Sequence, residues 1–414
     1  MEVLDKLHHP EKYAKVFVKW ALLGLLMGGI GGVLGALFHH ALHFVTEIRE
    51  YHTWLIWLLP MGGLLSVSLY HLFRIRNNRG TNEVIDAVLK EENLKGAIAP
   101  VIFLASAITH LFGGSAGREG AALQLGGSVA SKLGALLRLN QKERKVLTVT
   151  GMSAVFAGLF GTPLTATFFC LEFAAVGTVF TPALLPGYLA AFMASRVSAA
   201  LGVHAETFLL SEALPFTFTA NWQVLVLAVF VALLGIGMCH VFHEAEHFAA
   251  NKLPNPWVRI VVGGALITAL TLLVGDHRYN GAGMGMALKA VAGEADWFDF
   301  ILKMLFTAVT LSAGFKGGEI VPTFCIGATF GCLLGGLLGL DPGIAAALGL
   351  VGLFCSVTNA PLASIMLSIE MFGSANMHLF AFFCVIVFVI SGNCSLYSSQ
   401  ILEFSKSRLV KRDE

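Results

Sequence analysis

The sequence predicts an all-α polytopic membrane protein assembled from two related halves. Three observations carry that prediction. First, apolar runs recur along the whole 414-residue chain, with 56% hydrophobic and only 13% charged residues, where soluble domains carry about a quarter. Mean hydropathy is +0.76. Second, several runs are too short for a hydrocarbon core of ~30 Å, which takes about 20 helical residues. Short or glycine-broken spans are tolerated only where they are buried in protein or line a cavity. Third, landmarks repeat. Ser115-Ala116-Gly117 returns 197 residues later as Ser312-Ala313-Gly314, and Pro163-Leu164 returns 198 later as Pro361-Leu362. The short alternating segments of a membrane β-barrel are absent.

Residues 1–15 read as a short amphipathic surface helix without the small-residue cleavage site of a signal peptide. Residues 16–45 form the first span, where Gly24, Gly28 and Gly32, four apart, suit close helix packing in lipid. His39, His40 and His43 near its end read as interfacial histidines, because no carboxylate or cysteine is expected with them. Residues 54–73 span again and end in RIRNNRG, whose arginines mark a cytoplasmic loop. Thr81-Asn82-Glu83 opens a short helix. Residues 97–112 lead into a glycine-rich segment, and the helix after it ends in a second basic loop, 138–145. Spans 147–160, 164–175 and 182–201 complete a first membrane repeat, 16–202. A polar connector, 203–221, precedes a second repeat, 222–401. That repeat has full spans at 222–239 and 257–274, a loop at 275–298, and apolar stretches at 301–311, 333–340, 344–354, 362–369 and 379–390. Residues 402–414 form a short charged tail.

The seven cysteines lie almost all in apolar runs without a CxxC pair and read as small buried hydrophobes. No metal and no cofactor is expected. A net charge of +1 argues against nucleic acid as a partner. HExxH and any paired nucleophile and base are missing, which sets an intramembrane enzyme aside.

The chemistry concentrates in residues 113–127, GGSAGREGAALQLGG. Gly117 and Gly120 flank Arg118 and Glu119, and the apolar pattern resumes at Ala121. Glu119 thus stands at a helix N-terminus, where unpaired N–H groups and the helix dipole favour anions. A mobile carboxylate and a transported anion would compete for that end. Desolvation favours a neutral acid and a helix N-terminus a charged one, a balance suited to taking and releasing protons. The second half carries SAGFKGGEIVPTFCIGATFG, 312–331. It offers a second acid, Glu319, and backbone N–H groups at Ile320, Val321 and Thr323, with Phe324 nearby; Pro322 has none to give. Glu172 and Glu370, each nine residues after its proline, read as caps or partners in matching interhelical sites. Repeats with interrupted helices place a transport site between the halves, without saying which solute it takes.

GREG at 117–120, GGEIVPTF at 317–324 and SLYSSQ at 395–400, in this order and spacing, resemble the CLC family of chloride channels and proton-coupled antiporters. The resemblance covers roughly residues 12–401. It implies a CLC-type inverted repeat of short, broken and tilted helices in the lipid bilayer, and a homodimer with one pathway per subunit. The details are similar to the fluoride/proton antiporter branch. Chloride members carry a serine loop where this chain has Gly80-Thr81-Asn82, and GGE replaces their second loop. The chain departs from that branch at Thr81, where the branch has methionine, and at Val321, where it has threonine. By this resemblance Glu119 is the gate shared by anion and proton. Glu319 becomes the proton-transfer acid, since Phe173 stands where chloride exchangers place theirs. Gly117, Arg118, Gly120, Thr81, Asn82, Ile320, Val321, Thr323, Phe324 and Tyr397 surround the anion, with Arg118 itself paired at the loop. The implied activity is fluoride export in exchange for protons across the inner cell membrane, with both termini cytoplasmic. Chloride exchange or conduction by the same fold is the first alternative, and an unrelated inverted-repeat transporter the second.

Overall fold

The computed structural model describes residues 10–75, 78–208, 210, 222–406 and 410–411. Their α-helices fall into two series. The first is α1 (Pro10–Tyr51), α2 (Leu59–Leu72), α3 (Thr81–Leu89), α4 (Ile98–Leu111), α5 (Glu119–Leu136), α6 (Gln141–Phe160), α7 (Pro163–Glu172) and α8 (Leu184–Ala200). The second is α9 (Trp222–Lys252), α10 (Pro256–Val274), α11 (Met284–Val291), α12 (Asp299–Ala313), α13 (Ile320–Leu337), α14 (Pro342–Thr358), α15 (Pro361–Phe372) and α16 (Met377–Ile390). The chain is a multi-pass membrane protein, with six helical stretches among the described residues long and apolar enough to cross a bilayer.

Several boundaries differ from the sequence reading. Residues 10–15 run straight into α1, because Pro10 sits at the helix start, where proline is tolerated; residues 1–9 lie outside the described residues. The stretch 54–73 opens with a 3₁₀ turn, Thr53–Leu58, before α2, whose Pro60 occupies the first turn. The loop 275–298 contains α11, the counterpart of α3, and 333–340 is largely the end of α13. The stretch 164–175 stops as helix at Glu172. Beyond it, β1 (Ala175–Val176) pairs in parallel with β2 (Ile401–Leu402), and β3 (Phe404–Ser405) pairs antiparallel with β4 (Val410–Lys411) in the tail. Of the connector, 203–208 and 210 are described.

Glycines let the helices touch. A Cβ at Gly28 would lie 2.8 Å from the Ala190 carbonyl, and Gly24 and Gly32 meet Pro186 and Ala194 in the same way, so α1 lies against α8. Gly126 of α5 rests on Gly151 of α6, and Gly327 of α13 on Gly349 of α14, the same contact in each half.

The register of the repeat needs correction. Ser312-Ala313-Gly314 is the end of α12 and not the counterpart of 115–117. The helices themselves match at an offset of 201, since α5 starts at Glu119 and α13 at Ile320, and each has 18 residues. Gly117 and Gly318 exchange both backbone hydrogen bonds, at 2.6 and 2.8 Å, which marks the local two-fold contact. The proline match does hold, and its glutamates act reciprocally. Glu172 accepts from the Leu362 N–H (3.3 Å) and Ala363 N–H (2.9 Å) at the start of α15. Glu370 accepts from Leu164 N–H and Thr165 N–H, both at 2.8 Å, and from the Thr165 hydroxyl at 2.6 Å, at the start of α7. Each half thus caps a helix of the other, where unpaired N–H groups favour a carboxylate.

Candidate functional site

The starts of α3, α5 and α13 converge. Glu119, the first residue of α5, is fully buried. Its Oε2 accepts from the Arg118 N–H at 3.1 Å, and its Oε1 has no partner among the described residues. Glycine is required around it. A Cβ at Gly117 would strike Glu119 Oε2 and come within 2.9 Å of Pro322, and one at Gly318 would lie 2.5 Å from the same oxygen. A Cβ at Gly120 would sit 2.6 Å from the Thr81 hydroxyl and 3.5 Å from Glu319 Oε2. Glu119, Thr81 and Glu319 therefore surround one small region of backbone, into which helix N-termini direct partial positive charge.

The first-turn N–H groups of Ile320 and Val321 have no intrahelical acceptor. Thr323 differs from the expectation. Its N–H donates to Glu319 O at 3.0 Å and its hydroxyl to the same oxygen at 2.8 Å, so both are already engaged within α13. Phe324 is buried, its ring 5.5 Å from Phe354.

Tyr397 is buried edge-on to Phe173, ring centroids 6.5 Å apart, and its hydroxyl finds no partner among the described residues. The segment carrying Tyr397 is pinned on both sides. Asn82 Oδ1 accepts from the Ser399 N–H (3.0 Å) and Asp86 Oδ2 from the Ser399 hydroxyl (3.1 Å). Gln400 donates to Phe173 O and Thr358 O, both at 2.8 Å. The Asn82 side-chain oxygen thus fastens α3 to 395–400. Asp86 and Gln400 were not singled out from the sequence, although the i,i+4 spacing of Asn82 and Asp86 was there to read.

Arg118 turns away from this region. It pairs with Glu206, stands 3.3 Å from His39 Nδ1 and lies over the Phe160 ring at 4.9 Å. Glu206, from the connector, was also missed. The histidines differ from expectation in one respect, since His43 does have a carboxylate, Glu47, at 3.5 Å. His40 goes to Leu201 O at 2.9 Å instead. The three rings serve separate partners, and no metal-ligating cluster forms among the described residues.

Two open cavities flank the convergence. One of about 680 Å³ is lined by Arg118, Glu206 and Val321 among others. Another of about 440 Å³ is lined by Tyr397, Ser398, His240 and His243. Glu119 lines neither.

Residues 62–391 match the family described as "Voltage gated chloride channel". A protein of Pseudomonas syringae pv. tomato named chloride/fluoride channel protein is 33% identical, over 97% of this chain and 91% of its own length. A Vibrio campbellii protein named H(+)/Cl(-) exchange transporter is 24% identical, over 84% of this chain and 81% of its own. The crystal structure of a CLC-type fluoride/proton antiporter is 34% identical with a TM-score of 0.90, covering 93% of this chain and 98% of that one. A slow cyanobacterial Cl⁻/H⁺ antiporter shares the fold at 20% identity and a TM-score of 0.78, covering 90% and 94%.

Proposed function

This chain belongs to the voltage gated chloride channel (CLC) family, and from that premise we propose that it exports fluoride in exchange for protons. The carrying observation is Glu119, fully buried where α5 meets α13, with Oε1 unpartnered. As a carboxylate it fills the place of an anion at helix N-termini. Protonated, it is neutral and leaves that place to the anion. Alternation between the two couples the flows, because one group handles both solutes. Glu319 hands protons between Glu119 and the Tyr397 cavity, a role supported by its oxygen beside Gly120 and by Phe173, which is no acid.

Fluoride is small and strongly hydrated, so stripping its water requires compensating hydrogen bonds or aromatic edges. The Ile320 and Val321 N–H groups, the Tyr397 hydroxyl and Phe324 are the candidates to supply them. Hydrogen fluoride enters cells as a neutral acid and ionises inside, and proton exchange drives the ion out again. The fluoride/proton antiporter structure at 34% identity supports fluoride, while the name of the 33% relative covers chloride and fluoride alike. The second reading, chloride exchange, rests on the Thr81 hydroxyl beside Gly120.

The same proposal sets the protein in the inner cell membrane as a homodimer, one pathway in each subunit between repeats 16–202 and 222–401. Both termini and the basic loops are cytoplasmic. Arg79 pairs with Asp86, which binds Ser399 beside Tyr397, so the Tyr397 cavity is the cytoplasmic one. The test is efflux from proteoliposomes followed with fluoride, chloride and pH electrodes. Fluoride efflux with opposing proton flow is the expected result. Equal or faster chloride efflux rejects fluoride selectivity and promotes chloride exchange.

A further inference from the structure

The cations on the wall of the 680 Å³ cavity are not equally neutralised. Arg118 has Glu206, and Arg278 has Asp276, Asp296 and Asp299. Arg49, in the last turn of α1, faces no buried carboxylate. Its side chain is 11% exposed, its acidic neighbour Glu50 stands at 3.3 Å and is itself 67% exposed, and its Nη1 is buried without a partner among the described residues. That nitrogen lies against Gly281, where a Cβ would strike it. Lys303 of α12 reaches the same backbone and is fully buried. Its ammonium donates to Ser115 Oγ (3.0 Å), Tyr279 O (3.1 Å) and Gly281 O (2.7 Å), and no carboxylate pairs with it among the described residues. Glu50 and Glu294 on the cavity rim are exposed and screened by water. Arg49 and Lys303 thus meet around Gly281 with no buried carboxylate bonded to either, since the Arg49 ion pair is to exposed Glu50 and the buried Asp299 is held by Arg278 and Tyr279; a mobile anion would add a buried counter-charge.

His110 completes the wall. It is 3% exposed, and its Nδ1–H donates to Ser106 O at 2.9 Å. Its Nε2 then carries a lone pair, which has no partner among the described residues.

We propose that Arg49 forms a second halide site on this wall, distinct from the Glu119 site, which gathers anions before they enter or after they leave the pathway. The Arg49 guanidinium turns Nη1 off Gly281 to donate to the anion, Lys303 adds charge behind it, and a small opening of the wall lets His110 Nε2 accept from a water the anion retains. The ligand is a small, hydrated monovalent halide. The inference rests on the anion-transport reading above, but its first test does not need transport. Wild-type crystals soaked in sodium bromide should show an anomalous peak in hydrogen-bond range of Arg49 Nη1. In proteoliposomes with this cavity facing the added fluoride, Arg49→Gln should raise KM about tenfold, the worth of one hydrogen bond to a charged group. Turnover at saturating fluoride should change less than twofold, and Arg49→Lys should recover most of the affinity. No bromide beside Arg49, or an unchanged KM in Arg49→Gln, overturns the site. If wild type moves neither fluoride nor chloride, the transport reading fails instead, and a bromide peak beside Arg49 still supports the site.

Discussion

The starts of α5 and α13 share a backbone and differ in where they carry an acid. Each helix has 18 residues. Each follows a glycine in the left-handed region, Gly113 at φ +87° and Gly314 at φ +102°. Gly117 and Gly318 bind each other across the contact. In that frame Arg118 corresponds to Glu319, and Glu119 to Ile320. One residue along a helix turns a side chain by about 100°. Glu119 accordingly lies in the first turn, fully buried against Gly117 and Gly318, while Glu319 is the N-cap, half-buried with an oxygen beside Gly120. The repeat supplies the geometry, and the one-residue displacement aims two carboxylates from different sides at one region.

Removing the buried acid breaks the comparison most severely. Glu119→Gln keeps the shape but can neither take up nor release a proton. Fluoride-driven proton flux, read with a pH electrode on proteoliposomes, should fall more than about a hundredfold, within the ~10²–10⁴ range for a general acid–base group. Proton flux within twofold of wild type would remove Glu119 from the coupling.

The contact beneath the two acids comes next. In Gly318→Ala the new Cβ meets Glu119 Oε2 at 2.5 Å and the Gly120 N at 2.8 Å, with backbone on one side that cannot yield. Overpacking of this kind costs about 1–3 kcal/mol, so a lower Tm and roughly a tenfold loss of turnover are expected. Gly29→Ala is the matched control, since nothing lies within 4 Å of its added Cβ. It should leave turnover unchanged and stabilise α1 by about 0.5–1 kcal/mol. Equal effects from the two variants would show that the contact at Gly318 has no special tightness.

The half-buried acid should matter less. Glu319→Gln is expected to slow proton flux by about tenfold, below the ~10²–10⁴ of a full acid–base group, while the protein remains folded by circular dichroism. Wild-type coupled turnover in that variant would leave Glu319 as a helix cap alone.

What the sequence disclosed follows the range of each interaction. Glu119 and Glu319 were legible because a lone acid in apolar text is a local signal. Glu172 and Glu370 were legible through the prolines nine residues before them. Three identical letters at 312–314 mask the repeat register, and the offset falls from 201 at α5 to 198 at α7 because α6 has 20 residues and its counterpart α14 has 17. The sequence offers Thr323 as a free donor because it does not fix the start of α13. Once Ile320 is its first residue, the Thr323 N–H is the fourth of the helix and already reaches Glu319 O. Glu206, Lys303 and Gln400 find partners 88, 188 and 227 residues away, and only tertiary packing brings those together.

The smallest effect concerns the third helix of the convergence. Thr81 is buried at the start of α3, its hydroxyl 2.6 Å from where a Gly120 Cβ would be. Under the proposed reading, its hydroxyl is the candidate to give the anion a hydrogen bond from the first half. A hydrogen bond to a charged group is worth about 1.5–3 kcal/mol, or roughly ten- to a hundredfold in preference if one ion alone received it. Both halides accept hydrogen bonds, so only part of that value discriminates between them. Methionine removes the donor but adds bulk at a buried position, which costs both ions alike. Thr81→Met should therefore lower overall efflux somewhat and raise the fluoride-to-chloride efflux ratio by about threefold, a difference near 0.6 kcal/mol. Both ions must be followed from the same liposomes, so that folding and reconstitution losses cancel. A ratio that stays level or falls would mean that the Thr81 hydroxyl serves packing at Gly120 and takes no part in choosing the ion.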